Sequence, residues 1–227
     1  MTAAAFFDLD RTLLSRSSAL ALARPFRERG LIDRRAVLRA ALWQLFFSLR
    51  GDATGAATRA AERGLRVLRG LTPDELRELV AGALEAQLRP LVYAEPLDLV
   101  ARHRGRGEKV YVVSATIEEI VETIAADLGF DGGLGSVCEI GADRRYTGRA
   151  LRILHAGEKA LALRELAARE GFDLRACTAY SDSHTDLPFL EAVGKAVVVN
   201  PDRPLRRVAR ERGWEVLGFR ERAYRVA

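Results

Sequence analysis

An α/β fold built on a doubly wound parallel sheet is predicted by three observations on the sequence. Short apolar runs recur along the chain, stretches with helical spacing separate them, and acidic or hydroxyl residues follow several of the runs directly. The first run, residues 3–9, ends in aspartates. Residues 110–113, 178–180, 196–199 and 215–217 are similar short runs containing β-branched residues, and all five read as buried strands. Helical spacing marks 117–128, 159–170, 186–193 and 204–212. Strands alternating with helices imply parallel βαβ units. In such sheets ligands bind beyond the carboxyl ends of the strands.

The strand pattern stops between residue 17 and about residue 85. Leu38, Leu42, Leu45 and Leu49 recur there every three to four positions, which predicts a helical insert after the first strand. Thr72-Pro73-Asp74-Glu75 combines a capping residue, a proline at the first helical position and a glutamate three after the cap, and so marks a helix start. The expected organisation is a core of residues 1–16 and 86–227 with a small α-helical cap at 17–85, the chain returning near residues 88–95. A tight hairpin is expected around 144–149.

The 227 residues suit one sizeable domain, or a core with a smaller insert. With 48% hydrophobic and 30% charged residues, the chain is not of a disordered, collagenous or disulfide-dense class. Cys138 and Cys177 have no CxxC spacing, so neither a disulfide framework nor a zinc site is suggested, and a reducing compartment fits. The opening residues lack the basic segment of a signal peptide. The apolar stretch 40–49 is far below the ~20 residues of a membrane-spanning helix. A cytoplasmic protein is expected.

The net charge of +5 is uneven: residues 17–71 hold 11 arginines against Glu28, Asp33, Asp52 and Glu62. Only Lys109, Lys159 and Lys195 among the 36 basic residues are lysines, an arginine bias that points to codon usage more than to many guanidinium functions, and nucleic acid is not expected as a partner. Trp43, Phe46 and Phe47 make 41–49 apolar on more than one face. Core packing is the default reading; a hydrophobic lid, or membrane contact with lipid-like phosphates, is the sharper one. Oligomeric state is not legible.

Four clusters could do chemistry. Asp8 and Asp10, with Thr12, follow the first strand, and two close carboxylates invite a hard cation such as Mg²⁺. Alone, DxDxT serves equally well to close a turn or cap a helix. Ser114-Ala115-Thr116 ends the second core strand, where a hydroxyl and backbone N–H groups could bind an anion or simply cap the next helix. Lys159 opens a helix and could neutralise a phosphate, or lie on the surface. Asp182 and Asp186 bracket His184 after a further strand: Asp182 could complete the cation's shell and Asp186 could orient Lys159. The alternative is a helix cap with a dipole-stabilising acid.

The ordered set DxDxT, SxT, Lys and DSxxD resembles the haloacid dehalogenase superfamily over essentially the whole chain. YSDSHTDLPFL and VVVNPD resemble its phosphoserine phosphatase-like subfamily (IB), and the insert is similar to the superfamily's type I cap. The resemblance implies a Rossmann-like core and a phosphomonoester hydrolase acting on a small-molecule phosphate ester. Asp8 would be the nucleophile giving an aspartyl-phosphate and Asp10 the acid and base. Mg²⁺ would be held by the Asp8 carboxylate, the Asp10 carbonyl and Asp182. Ser114, Ala115 and Lys159 would bind the phosphoryl oxygens, with Thr12 and Asp186 in support.

In phosphoserine phosphatases a glutamate just after DxDxT reads the substrate amino group, and residues 14–18 here have none, which leaves Ser17 and Ser18 as cap candidates for specificity. Phosphoserine hydrolysis proper, phosphotransfer to an alcohol and a non-catalytic role in binding nucleic acid or membrane surfaces stand as alternatives. His184 is expected to pack or line a rim.

Overall fold

A computed structural model describes residues 2–32 and 65–224. The leucine repeat at Leu38 to Leu49 and the aromatic positions Trp43, Phe46 and Phe47 lie outside the described residues. Seven strands form one sheet in the order β4-β3-β2-β1-β5-β6-β7. They are β1 (Ala4–Phe7), β2 (Lys109–Ile117), β3 (Gly132–Ile140), β4 (Tyr146–Arg152), β5 (Thr178–Ser181), β6 (Lys195–Val199) and β7 (Glu215–Leu217). Every pair is parallel except β3 with β4. The α/β, mostly parallel architecture is the one the alternation of runs predicts.

β1 is central, and all four of its residues are fully buried. Successive strand side chains point to opposite faces. Ala5 and Phe7 therefore enter one core while Ala4 and Phe6 enter the other. Phe7 stacks on Tyr180 with ring centroids 4.3 Å apart, and Phe6 lies against Tyr111 at 6.0 Å. Each such ring contributes about 1.5–3 kcal/mol of burial energy, so the strand that presents Asp8 is among the most firmly seated parts of the molecule.

The described helices are α1 (Ser18–Glu28), α2 (Pro73–Ala83), α3 (Glu95–Gly105), α4 (Glu118–Asp127), α5 (Gly157–Glu170), α6 (Leu187–Glu191) and α7 (Arg203–Arg212). At α2 the expected start is realised as a reciprocal pair. Thr72 Oγ1 accepts from the Glu75 N–H at 3.2 Å, and Glu75 Oε2 accepts from the Thr72 N–H at 2.7 Å. The last apolar stretch before β6 is split: a 3₁₀ turn covers His184–Asp186, and α6 begins only at Leu187.

Other features also depart from the sequence reading, among them β7, where Glu215 and Val216 are exposed although a buried strand was expected. β2 runs to Ile117, beyond residue 113, and β3 is a strand that reading did not contain. Its sequence, GGLGSVCEI, lacks an unbroken apolar run, because its glycines let α4 lie directly on it. A Cβ on Gly133 would sit 2.9 Å from Val121, and one on Gly135 would sit 2.3 Å from Glu118 Cα. The hairpin expected near 144–149 is the β3–β4 connection.

The chain leaves and re-enters the core side by side. Leu14 bridges Val92 in antiparallel fashion, the Ser15 N–H donates to Leu91 O at 2.8 Å, and the Tyr93 N–H donates to Leu13 O at 2.9 Å. Among the described residues no helix is long and apolar enough to cross a membrane.

Candidate active site

Strand order reverses around β1, since β2 to β4 build outward on one side and β5 to β7 on the other. The carboxyl edge at that reversal is where open α/β sheets bind ligands, and Asp8, Ser114 and Asp182 all emerge there. Asp8 follows β1, and Arg11 then takes a left-handed conformation (φ 62°) that turns the chain back. Ser114 sits where the pairing of β2 with β3 shifts register between Val113 and Ile117, so the Ser114-Ala115-Thr116 loop is a bulge in a strand. Ser114 Oγ accepts from the Thr116 N–H at 3.1 Å.

Lys159, only 3% exposed, is the hub. Its Nζ donates to Asp8 Oδ1 at 2.6 Å and to Asp186 Oδ2 at 2.7 Å, and Ser181 Oγ donates to the same Asp186 oxygen at 2.7 Å. A lysine that far from solvent is affordable only when paired. Here the two aspartates outweigh burial and raise its pKa, so it stays an ammonium. The surface alternative for Lys159 is thereby excluded. An ammonium has three hydrogens, and two are committed to these carboxylates.

Desolvation pushes the carboxyls toward their neutral forms. Burial lifts Asp8 to about 7 despite the pull of Lys159, with Asp186 and Asp10 adding to the rise. Burial likewise raises Asp182 well above the ordinary range, with the charges of Asp8 and Asp186 pushing further. Asp10 is also raised by burial, against hydrogen bonds from Ser17 and Ser18. Four carboxylates thus crowd one buried ammonium among the described residues.

That surplus of buried negative charge is what a hard divalent cation neutralises. Among the described residues no group of three or more His, Cys, Asp or Glu side chains is disposed to hold a metal. The residues that could hold such a cation are two carboxylates, Asp8 and Asp182, with the Asp10 carbonyl, which would leave further positions for water and substrate oxygen. This oxygen-only, water-rich set fits Mg²⁺.

Ser17 and Ser18 are buried at the start of α1. The Ser18 N–H donates to Asp10 Oδ1 at 2.8 Å, and the Ser18 and Thr116 hydroxyls lie 3.2 Å apart, so both the first and second motifs meet the insert here. Thr12 is fully buried, and its hydroxyl has no hydrogen-bond partner among the described residues. His184 takes Asp202 as partner, through its N–H at 3.0 Å and its Nδ1 at 2.8 Å, at the rim beside Asp182. Absent from the sequence-derived set are Ser181, which supports Asp186, and Ser136, whose hydroxyl donates to Ala115 O at 2.7 Å. A lone serine in a strand carries no pattern that would have singled either out.

The model of the haloacid dehalogenase-like hydrolase family matches residues 5–191. A Mycobacterium tuberculosis protein named as a probable phosphatase is 46% identical over 216 residues, 95% of this chain and 75% of that one. Phosphoserine phosphatase SerB1 of the same organism is 41% identical over 222 residues, covering 97% and 72%. Among solved structures, a Bordetella pertussis protein of unknown function superposes with a TM-score of 0.82 at 30% identity, covering 96% of this chain and 99% of that one. A phosphoserine phosphatase bearing a phospho-aspartyl intermediate analogue shares the fold, with a TM-score of 0.68 at 17% identity over 97% and 94%. The chain belongs to the haloacid dehalogenase-like hydrolase family and is similar to its phosphoserine phosphatase-like members.

Proposed function

We propose that this chain, a phosphatase of that family, hydrolyses the monoester of a small phosphorylated metabolite by way of an aspartyl-phosphate on Asp8. The observation that supports it most is the buried Lys159 bridging Asp8 and Asp186 beside the Ser114 loop. An ammonium held there orients Asp8 and leaves one hydrogen for a phosphoryl oxygen, and in this reading the Ser114 hydroxyl and the Ala115 N–H would meet the other oxygens.

In this reading a carboxylate oxygen of Asp8 forms a bond to phosphorus as the ester oxygen leaves. Asp10 gives its proton to that leaving oxygen, then removes one from the water that attacks the aspartyl-phosphate. Burial raises its pKa, the direction that the first task requires. Spread negative charge on the phosphoryl oxygens is met by Lys159 and Ser114. Mg²⁺, bound by Asp8, Asp182 and the Asp10 carbonyl, would supply charge neutralisation and in-line alignment.

Residues 17–85 serve as the cap in the same reading, and Ser17 and Ser18 join it to Asp10. Phosphoserine is the second candidate substrate, favoured by the 41% identity to SerB1 and opposed by the missing glutamate in residues 14–18. The test is a panel of phosphoserine, histidinol phosphate, sugar phosphates, nucleotides and lysophosphatidate, assayed with Mg²⁺ or EDTA beside Asp8→Asn. Turnover that needs Mg²⁺ and Asp8 is expected, and the preferred ester names the substrate. Product that forms only when an alcohol acceptor is added would replace hydrolysis by phosphotransfer. No turnover by folded protein would overturn the reading.

A further inference from the structure

We infer that Ser136 is a positioning residue that locks the Ser114 loop to the segment delivering Lys159, so that the two phosphoryl-binding side chains stay in register; this rests on the phosphatase reading above. Ser136 lies on β3, is 2% exposed, and touches neither group itself. Its hydroxyl is fully used. It donates to Ala115 O at 2.7 Å, inside the Ser114-Ala115-Thr116 bulge, and accepts from the Leu154 N–H at 3.0 Å.

Leu154 stands five residues before Lys159 and is itself buried. Between them the chain is tightly wound. The His155 N–H donates to Ile153 O at 2.9 Å, the Lys159 N–H donates to Ala156 O at 3.2 Å, and Ala156 adopts a left-handed φ of 51°. An alanine holds that conformation only where its surroundings enforce it, so a shift of the Leu154 backbone passes along a stiff segment to the start of α5. On the other side, the bulge in β2 has lost its regular ladder pairing between Val113 and Ile117. The Ser136 hydroxyl replaces part of that lost pairing.

The neighbouring glycine makes the same point independently. Gly135 brings the β3 backbone against Thr116 O and the start of α4, where a Cβ would lie 2.8 Å from that oxygen and 2.5 Å from Glu118 N. A bare backbone there lets Ser136 approach closely enough to reach Ala115. Of the small side chains, only a hydroxyl can donate to one backbone group and accept from another here; a thiol does both weakly and a methyl does neither.

Groups that orient a site without touching substrate cost about 10–100-fold in activity when removed. The experiment compares Ser136→Ala, Ser136→Cys and Ser136→Thr with wild type for melting temperature, kcat, KM, and inhibition by orthovanadate and by inorganic phosphate. With folded Ser136→Ala, kcat is expected to fall about 10–100-fold and vanadate inhibition to weaken in parallel, with KM and phosphate inhibition moving far less. Ser136→Thr, which keeps the hydroxyl, is expected to retain most of kcat. Should the alanine variant not fold, Ser136→Cys, close to serine in size, gives the same reading. A folded Ala or Cys variant with wild-type kcat and vanadate affinity, altered only in melting temperature, overturns the brace. So does a threonine variant as impaired as alanine, since space and not the hydroxyl would then matter. Wild-type protein that hydrolyses no ester overturns the phosphatase reading, and the brace with it.

Discussion

The Ser18 N–H donates to Asp10 Oδ1 at 2.8 Å, so the first residue of α1 grips the side chain assigned to proton transfer. Asparagine at position 10 can still accept that bond but cannot exchange a proton. Asp10→Asn is therefore expected to lower kcat by about 10²–10⁴-fold with an unchanged melting temperature. A loss under tenfold would take the acid and base role away from Asp10.

Removing the hub should cost stability as well as activity. Lys159→Met leaves Asp8 and Asp186 buried without their cation, an arrangement that costs about 3–5 kcal/mol when one partner of a buried pair is deleted. The sign with pH follows from Asp8, whose folded value of about 7 lies above its ordinary 3.8. Folding then favours the protonated form, and stability drains away as pH rises from the lower value through the higher. Without Lys159 the folded value rises further. Urea unfolding at pH 6 and pH 8 should show a larger penalty at pH 8; an equal penalty at both would contradict the assignment of the charges.

Magnesium should stabilise the folded chain through the same carboxylates. Binding to the native state alone contributes RT ln(1 + [L]/Kd), about 2.7 kcal/mol at a hundredfold excess over Kd. The melting temperature is expected to rise with Mg²⁺ relative to EDTA in the wild type and to respond weakly in Asp182→Asn. An undiminished response in that variant would remove Asp182 from the ligand set.

A second titration is built into the core beneath β1. His103, 2% exposed, has Nδ1 2.5 Å from Glu108 Oε2 and Nε2 2.7 Å from the Tyr180 hydroxyl. Nδ1 lies between the Glu108 carboxylate and the Arg106 guanidinium, 2.7 Å from its Nη2, while Nε2 pairs with the Tyr180 hydroxyl. Burial holds the His103 pKa below its ordinary 6.5, against the opposing pull of Glu108. A depressed folded value contributes stability that is present above 6.5 and lost as pH falls through the folded value. Thermal melts between pH 7.5 and 5 should show a steeper acid-side fall for wild type than for His103→Gln. Parallel curves would mean that His103 is not held neutral.

What the sequence disclosed, and what it hid, divides along physical lines. β1, β5 and β6 were legible because strands buried on both faces are continuous apolar runs, and β1 and β5 lead directly into Asp8 and Asp182. β3 was not, because its fitness for the sheet rests on the absence of side chains at Gly133 and Gly135, where α4 presses on it. Asp8, Asp10, Lys159 and Asp182 were singled out by their order along the chain, and the fold brings Lys159 against Asp8. Their raised proton affinities were invisible, since these depend on burial and on neighbours far apart in sequence, Lys159 and Asp8 being 151 positions apart. Ser17 and Ser18 were read for substrate choice; both are buried beside Asp10, and Ser18 also meets Thr116.

The antiparallel bridge of Leu14 with Val92 fastens the outgoing and returning strands of the chain to one another just beyond Asp10. Whatever is threaded between those two points, its ends arrive at a fixed spacing set by the bridge. Lengthening a tethered segment adds little entropic cost, about 0.6 kcal/mol for each doubling. The stretch of chain between Leu14 and Val92 can therefore change in length over evolutionary time at little cost to the residues on the near side of the bridge.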